Sequence, residues 1–220
     1  LGPGFDSFGL ALPIYNVISV EETVLPGTGI EINIINEKNN EDIEDIPTDK
    51  NNIVYKAIEL LYNFIGQIPN ELKITIKTQI PISRGLGSSA SVIVGGLIAA
   101  NELLGRPADE KVLMSIATEI EGHPDNITPA FVGGITMASW EEDGSVIYRK
   151  LPWNDEWKLM ICIPDYELNT EISRSVLPKE VPLQDAVFNL KRSAMLTEAL
   201  HSKDEELLKL ALKDKLHQPY

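Results

Sequence analysis

Cysteine is almost missing from this 220-residue chain: Cys162 stands alone, so no intrachain disulfide framework braces the fold, and the reducing cytoplasm is the expected setting. Its neighbours Met160, Ile161 and Ile163 make it an expected core residue rather than a nucleophile. No apolar run approaches the roughly 18–20 residues that span a bilayer, so no membrane role is expected. Positive charge is scarce as well. Nineteen Lys and Arg against 33 Asp and Glu leave a formal charge of −14, and such a surface repels nucleic-acid phosphates. A nucleotide substrate is not excluded, because backbone N–H groups, a helix N-terminus and a metal ion hold phosphate without a basic surface. Repeats and low-complexity tracts are lacking too. What is present, 43% hydrophobic and 24% charged residues, describes a globular chain of one or two domains with a substantial core.

The chain opens on Leu1 rather than Met, and His217-Gln218-Pro219-Tyr220 stops without a terminal element, so it reads as a piece of a longer protein. Leu10, Leu12, Ile14, Val17, Ile18 and Val20 suggest strands, and Gly27-Thr28-Gly29 a turn before a strand at 30–35. Polar residues 36–49 are expected to form a solvated loop. Ile53, Val54, Ala57, Ile58, Leu61 and Phe64 recur at helical spacing up to Gly66, and a strand follows at 72–77. Helices are expected over 92–104 and, capped by Asp109, through Ile120. Gly122-His123-Pro124-Asp125-Asn126 reads as the turn that breaks the second of these. Strands at 134–140, 145–150 and 157–164 and helices at 184–201 and 204–216 complete an α+β pattern. The turn at Pro152-Trp153 is the candidate boundary between domains 1–152 and 153–220.

The strongest chemical signal is Pro81-Ile82-Ser83-Arg84-Gly85-Leu86-Gly87-Ser88-Ser89-Ala90. A strand ends, two glycines permit close backbone approach, and two serines open an apolar helix. The first N–H groups of that helix have no intrahelical partner, and with the macrodipole they make a phosphate site. A capped helix after a tight turn would look alike. The loop is not a Walker A motif, because no Lys follows the second glycine, and it lacks the third glycine of a Rossmann fingerprint.

Residues 81–90 resemble the phosphate loop of the GHMP kinases. Leu1-Gly2-Pro3-Gly4-Phe5-Asp6-Ser7-Phe8-Gly9-Leu10, Glu119-Ile120-Glu121-Gly122-His123-Pro124-Asp125-Asn126 with Pro129-Ala130 and Gly133-Gly134, Pro164–Thr170 with Arg174, and Leu216–Tyr220 resemble the homoserine kinase family within them. The resemblance implies a domain like ribosomal protein S5 domain 2, then the start of a ferredoxin-like domain, with the active site between them. It implies phosphorylation of L-homoserine to O-phospho-L-homoserine by ATP and Mg²⁺ in threonine biosynthesis, and it makes a homodimer plausible. Alternatives are another GHMP kinase of mevalonate-pathway type, or a non-catalytic binding module on the same fold. The family's Asn before Leu1, Arg after Tyr220 and glycine-rich third motif fall outside the sequence, so the isolated segment is expected to have little kinase activity.

The resemblance also distributes roles. Pro81, Arg84, Gly85, Leu86, Gly87, Ser88, Ser89 and Ala90 would cradle the phosphates, with Asn52 a weaker match to an adenine contact that helix capping explains equally well. Ser89 and Glu119 resemble the metal ligands, a hydroxyl and a carboxylate as a hard ion prefers. Glu119 lies three residues after Ile116 and seven after Val112, but Glu121 lies near Ala117 and Leu113, and periodicity leaves it a rival. Asn126 would meet the reacting hydroxyl, with His123 and Asp125 around the amino acid. Asp6 suits the substrate ammonium, and Thr170 and Arg174 share a face if helical, where a guanidinium suits the carboxylate. Their plainer readings are turn formers and a surface salt bridge. No general base emerges, and His201 and His217 are expected to be solvated at polar helix ends.

Overall fold

The computed structural model describes the chain apart from residues 24–28, 38–40, 43–45, 70, 164 and 167–169 and the side chains of 41, 42, 170 and 171. Gly27-Thr28 of the expected turn, and Pro164 and Glu167-Leu168-Asn169 of the matched segment, lie outside the described residues. A 3-10 turn at Gly2–Gly4 leads to β1 (Phe8–Leu10), β2 (Asn16–Glu22), β3 (Glu31–Asn36) and a short β4 (Glu41–Asp42). Then come α1 (Ile53–Phe64), β5 (Leu72–Thr78), α2 (Ser88–Leu103), α3 (Glu110–Glu121) and α4 (Pro124–Val132). The chain continues through β6 (Ile135–Trp140), β7 (Val146–Leu151), α5 (Thr170–Ser175), α6 (Leu183–Ser202) and α7 (Glu205–Ala211).

Two sheets result, ordered β2-β5-β3-β4 and β1-β6-β7. β5 is antiparallel to β2 and parallel to β3; a parallel pair needs a crossover, which α1 supplies. Asn52 starts that helix, its Oδ1 accepting from the Val54 N–H at 2.9 Å. Val54, Ala57, Ile58 and Leu61 then fall on one face and are wholly buried. Each large side chain so removed from water contributes about 1.5–3 kcal/mol. Leu72, Ile74 and Ile76 alternate inward along β5 to meet them. Helix α2 lies unusually close to its neighbours, because a Cβ on Gly95 or Gly96 would stand 2.6 Å from Ile18 or Val54. That close seating puts the head of α2 just beyond the end of β5. A second cluster joins Phe8, Ile135 and Leu151 to Leu196, Leu200 and Ala211, so residues on both sides of position 152 share it.

Four local expectations are corrected. The Gly-His-Pro-Asp-Asn run is not only a turn: Gly122 caps α3 in the left-handed region, and Pro124 then opens α4. Proline suits a first helical position, where its missing N–H has no partner to lose. Residues 157–163 are not a strand, and Cys162 is exposed, because no strand among the described residues pairs with that apolar run. The acidic loop contains β4, paired with the end of β3. The last helix stops at Ala211, five residues early, where Asp214 draws the backbone into a turn. Among the described residues no helix is long and apolar enough to cross a membrane.

Candidate active site

The end of β5, the loop to α2, and the starts of α1, α2 and α4 converge on a cavity of about 920 Å³, which α5 and the 217–220 segment also line. Pro81, Arg84, Gly85, Leu86, Gly87, Ser88 and Ser89 form one wall. Ala90 does not join that wall: it lies inside α2 and its methyl is buried in the core, because the helix has already begun at Ser88. Gly85 and Gly87 have φ of 70° and 69°, values that cost a side chain but not glycine, and they turn the backbone so that Ser88 begins α2. The free N–H groups of that first turn, with the positive end of the helix behind them, suit an anion. Asn16, which the sequence reading did not single out, buttresses the loop. Its Nδ2 donates to Ser91 Oγ at 2.7 Å, and its Oδ1 accepts from Thr78 Oγ1 at 2.8 Å and from the Gln79 N–H at 3.2 Å. Nothing in the sequence pattern marked a lone Asn at a strand start as a tie between β5 and α2.

Ser89 Oγ donates to Glu121 Oε2 at 2.9 Å. Glu119, the carboxylate expected at the metal, is exposed and does not line the cavity, whereas its rival Glu121 does. Two residues along a helix are about 200° of rotation, so the two carboxylates point to opposite sides. Glu121 is the one on the side of the buried Ala117 and Thr118, facing α2. Two oxygens at 90° about an ion at about 2.1 Å stand about 3.0 Å apart, so the observed pair fits two adjacent ligands of an octahedral Mg²⁺.

Asn126, in the first turn of α4, lies over the loop, its Oδ1 3.5 Å from where a Cβ on Gly87 would stand. His123 Nδ1 is 2.6 Å from Asp125 Oδ1 and the imidazole is buried. The hydrogen bond with Asp125 raises the His123 pKa above its usual 6.5; burial opposes this, and the Asp125 and Glu121 charges add to it. Asp6 and Arg174 meet in a fork, Nη1 to Oδ2 at 3.0 Å and Nη2 to Oδ1 at 2.5 Å. Asp6 sits at φ 57°, a left-handed conformation that Asp tolerates better than most residues. The groups assigned to substrate ammonium and carboxylate thus satisfy each other.

Asn52 lines the cavity, but both ends of its amide are spent on Val54 N and the Pro47 carbonyl, so capping explains it. Thr170 opens α5, and its side chain lies outside the described residues. His201 is exposed, whereas His217 corrects its expectation: it lines the cavity and stacks on Phe5, ring centroids 4.6 Å apart. Phe5 and Tyr220 also line the site; the sequence motifs contained both, yet gave neither a role.

The GHMP kinases N terminal domain matches residues 52–134. A homoserine kinase of Petrotoga mobilis is 46% identical over the whole of this chain and 69% of its own length. The crystal structure of a homoserine kinase from Cytophaga hutchinsonii superposes with a TM-score of 0.81 at 26% identity, covering 99% of this chain and 69% of that one. A phosphomevalonate kinase of Streptococcus pneumoniae, in complex with phosphomevalonate and AMPPNP, shares the fold at a TM-score of 0.68 and 13% identity, over 96% of this chain and 74% of that one.

Proposed function

The chain belongs to the homoserine kinase family of the GHMP kinases, and from that premise we propose how its cavity moves the γ-phosphoryl group of ATP to the side-chain hydroxyl of L-homoserine. The observation that carries the proposal is the Ser89–Glu121 contact at the head of α2, in one cavity with Asn126 and the Asp6–Arg174 fork. The loop N–H groups and the α2 terminus hold the triphosphate. Ser89 Oγ and Glu121 Oε2 would hold a Mg²⁺ ion, which would neutralise part of the phosphate charge.

At the other end, homoserine enters as a zwitterion. Its ammonium takes Asp6 and its carboxylate takes the Arg174 fork, so one ion pair is exchanged for two. Because the Asp6–Arg174 pair is partly exposed, opening it costs on the order of 1 kcal/mol or less. Asn126, beside Gly87, aligns the hydroxyl with the γ-phosphorus. The new O–P bond forms as the bond to the β-phosphate bridging oxygen breaks, and the hydroxyl proton leaves late to a phosphate oxygen or water. A loose transition state asks for alignment and charge stabilisation more than for a base. That suits a site where Asp125 is already committed to His123.

Residues 1–152 serve as the nucleotide-binding domain and 153–220 begin the second. The product, O-phospho-L-homoserine, feeds threonine formation in the cytoplasm, and a homodimer, testable by light scattering, is part of the reading. The decisive experiment offers the enzyme MgATP with homoserine, serine, threonine and mevalonate, and detects products by ³¹P NMR. Homoserine should be the preferred acceptor; preferential phosphorylation of mevalonate, or no homoserine phosphate, would refute the reading.

A further inference from the structure

Asp214 lies outside the cavity, yet its side chain is wholly shielded from solvent. It accepts from Asn189 Nδ2 at 2.5 Å and from three consecutive N–H groups: Leu216 at 3.2 Å, His217 at 3.0 Å and Gln218 at 2.7 Å. Asn189, itself buried on α6, returns a bond from its Oδ1 to the Lys215 N–H at 2.9 Å. The turn after α7 is therefore fixed residue by residue to α6. Burial opposes ionisation of Asp214, but these donors outweigh it and bring the carboxyl down to about 2, so it is an anion at any physiological pH.

So much order at a chain segment without regular structure has one visible consequence. His217 is carried onto Phe5, ring planes 20° apart, and the Arg174 guanidinium lies 5.0 Å from the centre of that same Phe5 ring. His217 Nδ1 stands 3.0 Å from Asp214 Oδ2, off the geometry of a hydrogen bond, and it is buried with no hydrogen-bond partner. The imidazole therefore meets Asp214 through Nδ1, as an ion pair when protonated, and presents its flat face to Phe5. Phe5 is 37% exposed, so the stack is a wall of the cavity and not core packing.

We propose that Asp214 is a positioning residue for the amino-acid end of the site, acting through the His217–Phe5–Arg174 stack to set where the guanidinium meets the substrate carboxylate. The proposal rests on the homoserine reading above and extends it to a residue that touches neither substrate. A cation over an aromatic face is held laterally by the ring, and the ring is held by the imidazole. Freeing the turn lets all three drift, and small misplacements of a binding group are costly.

The test is steady-state kinetics on the full-length enzyme with Asp214→Asn, His217→Ala and His217→Phe. Asp214→Asn and His217→Ala should raise the homoserine KM about tenfold while the ATP KM stays within about twofold, since only the acceptor end is loosened. His217→Phe, which keeps a flat ring but no imidazole nitrogen, should restore the homoserine KM to within about threefold of wild type. A merely structural Asp214 would lower the melting temperature and the active fraction and leave KM alone. The proposal is overturned if both loss variants keep a normal homoserine KM, if the ATP KM rises equally, or if His217→Phe behaves like His217→Ala. Should Asp214→Asn fail to fold, the two His217 variants decide the matter. Absence of homoserine turnover in the wild type would instead overturn the functional reading, and this inference with it.

Discussion

Replacing Glu121 by Gln separates the two candidate metal carboxylates. The amide keeps the shape and can still accept from Ser89, so the 2.9 Å contact and the fold should survive. What is lost is a negative charge at the proposed cation site. Two unit charges about 4 Å apart at an effective dielectric of about 20 interact by about 4 kcal/mol. Water and the remaining amide oxygen return part of this, leaving about 3 kcal/mol, or about 10²-fold in rate. Glu121→Gln should therefore lower kcat/KM for MgATP about 10²-fold and raise the Mg²⁺ concentration for half-maximal rate. Glu119→Gln, an exposed change, should stay within about twofold. Formation of homoserine phosphate, followed by ³¹P NMR while Mg²⁺ is varied, measures both. The reasoning fails if Glu121→Gln is within about threefold of wild type, or if Glu119→Gln shows the loss.

Three further outcomes follow from the same geometry. Asn126→Ala should reduce kcat by on the order of 10²-fold and change ATP affinity by less than about threefold; equal losses in both would remove its alignment role. Because the folded His123 pKa is raised above 6.5 by Asp125, its protonated form stabilises the fold fully below pH 6.5, and that contribution is lost as pH rises through the elevated value. The melting temperature should fall across that window, and Asp125→Asn should flatten this part of the profile. Gly9→Ala would place a Cβ 1.6 Å from the Asp125 carbonyl oxygen and 2.8 Å from Pro129, forcing β1 from α4; destabilisation by about 3 kcal/mol or more in urea unfolding is expected.

Legibility in the sequence followed the physics of each element. Helices α1 and α3 carried both a periodic apolar face and a capping side chain, Asn52 and Asp109, and their limits lie close to those expected. The turn from β5 into α2 was legible because two glycines and two serines mark a tight strand-to-helix junction, and the structure places both glycines at positive φ just before Ser88 opens α2. Helix α4 was hidden because Gly-His-Pro-Asp is also good turn chemistry, and only packing against β1 and β6 decides between stopping and restarting. Glu119 and Glu121 could not be separated, since both lie in the last turn of α3, beside the edges of its apolar stripe. The 157–163 run misled for a different reason: apolar residues mark a strand only where a partner ladder exists.

The close seating of α2 on Ile18 and Val54 fixes the loop side of the cavity, the proposed donor end, whereas the proposed acceptor end is assembled from the chain's first turn, α5 and the segment after α7. The two halves draw on separate stretches of polypeptide. Changes in acceptor preference can therefore accumulate on one side while triphosphate handling on the other goes untouched. An engineer seeking a kinase for a new alcohol would leave residues 81–97 alone and rebuild around Phe5, Arg174 and His217.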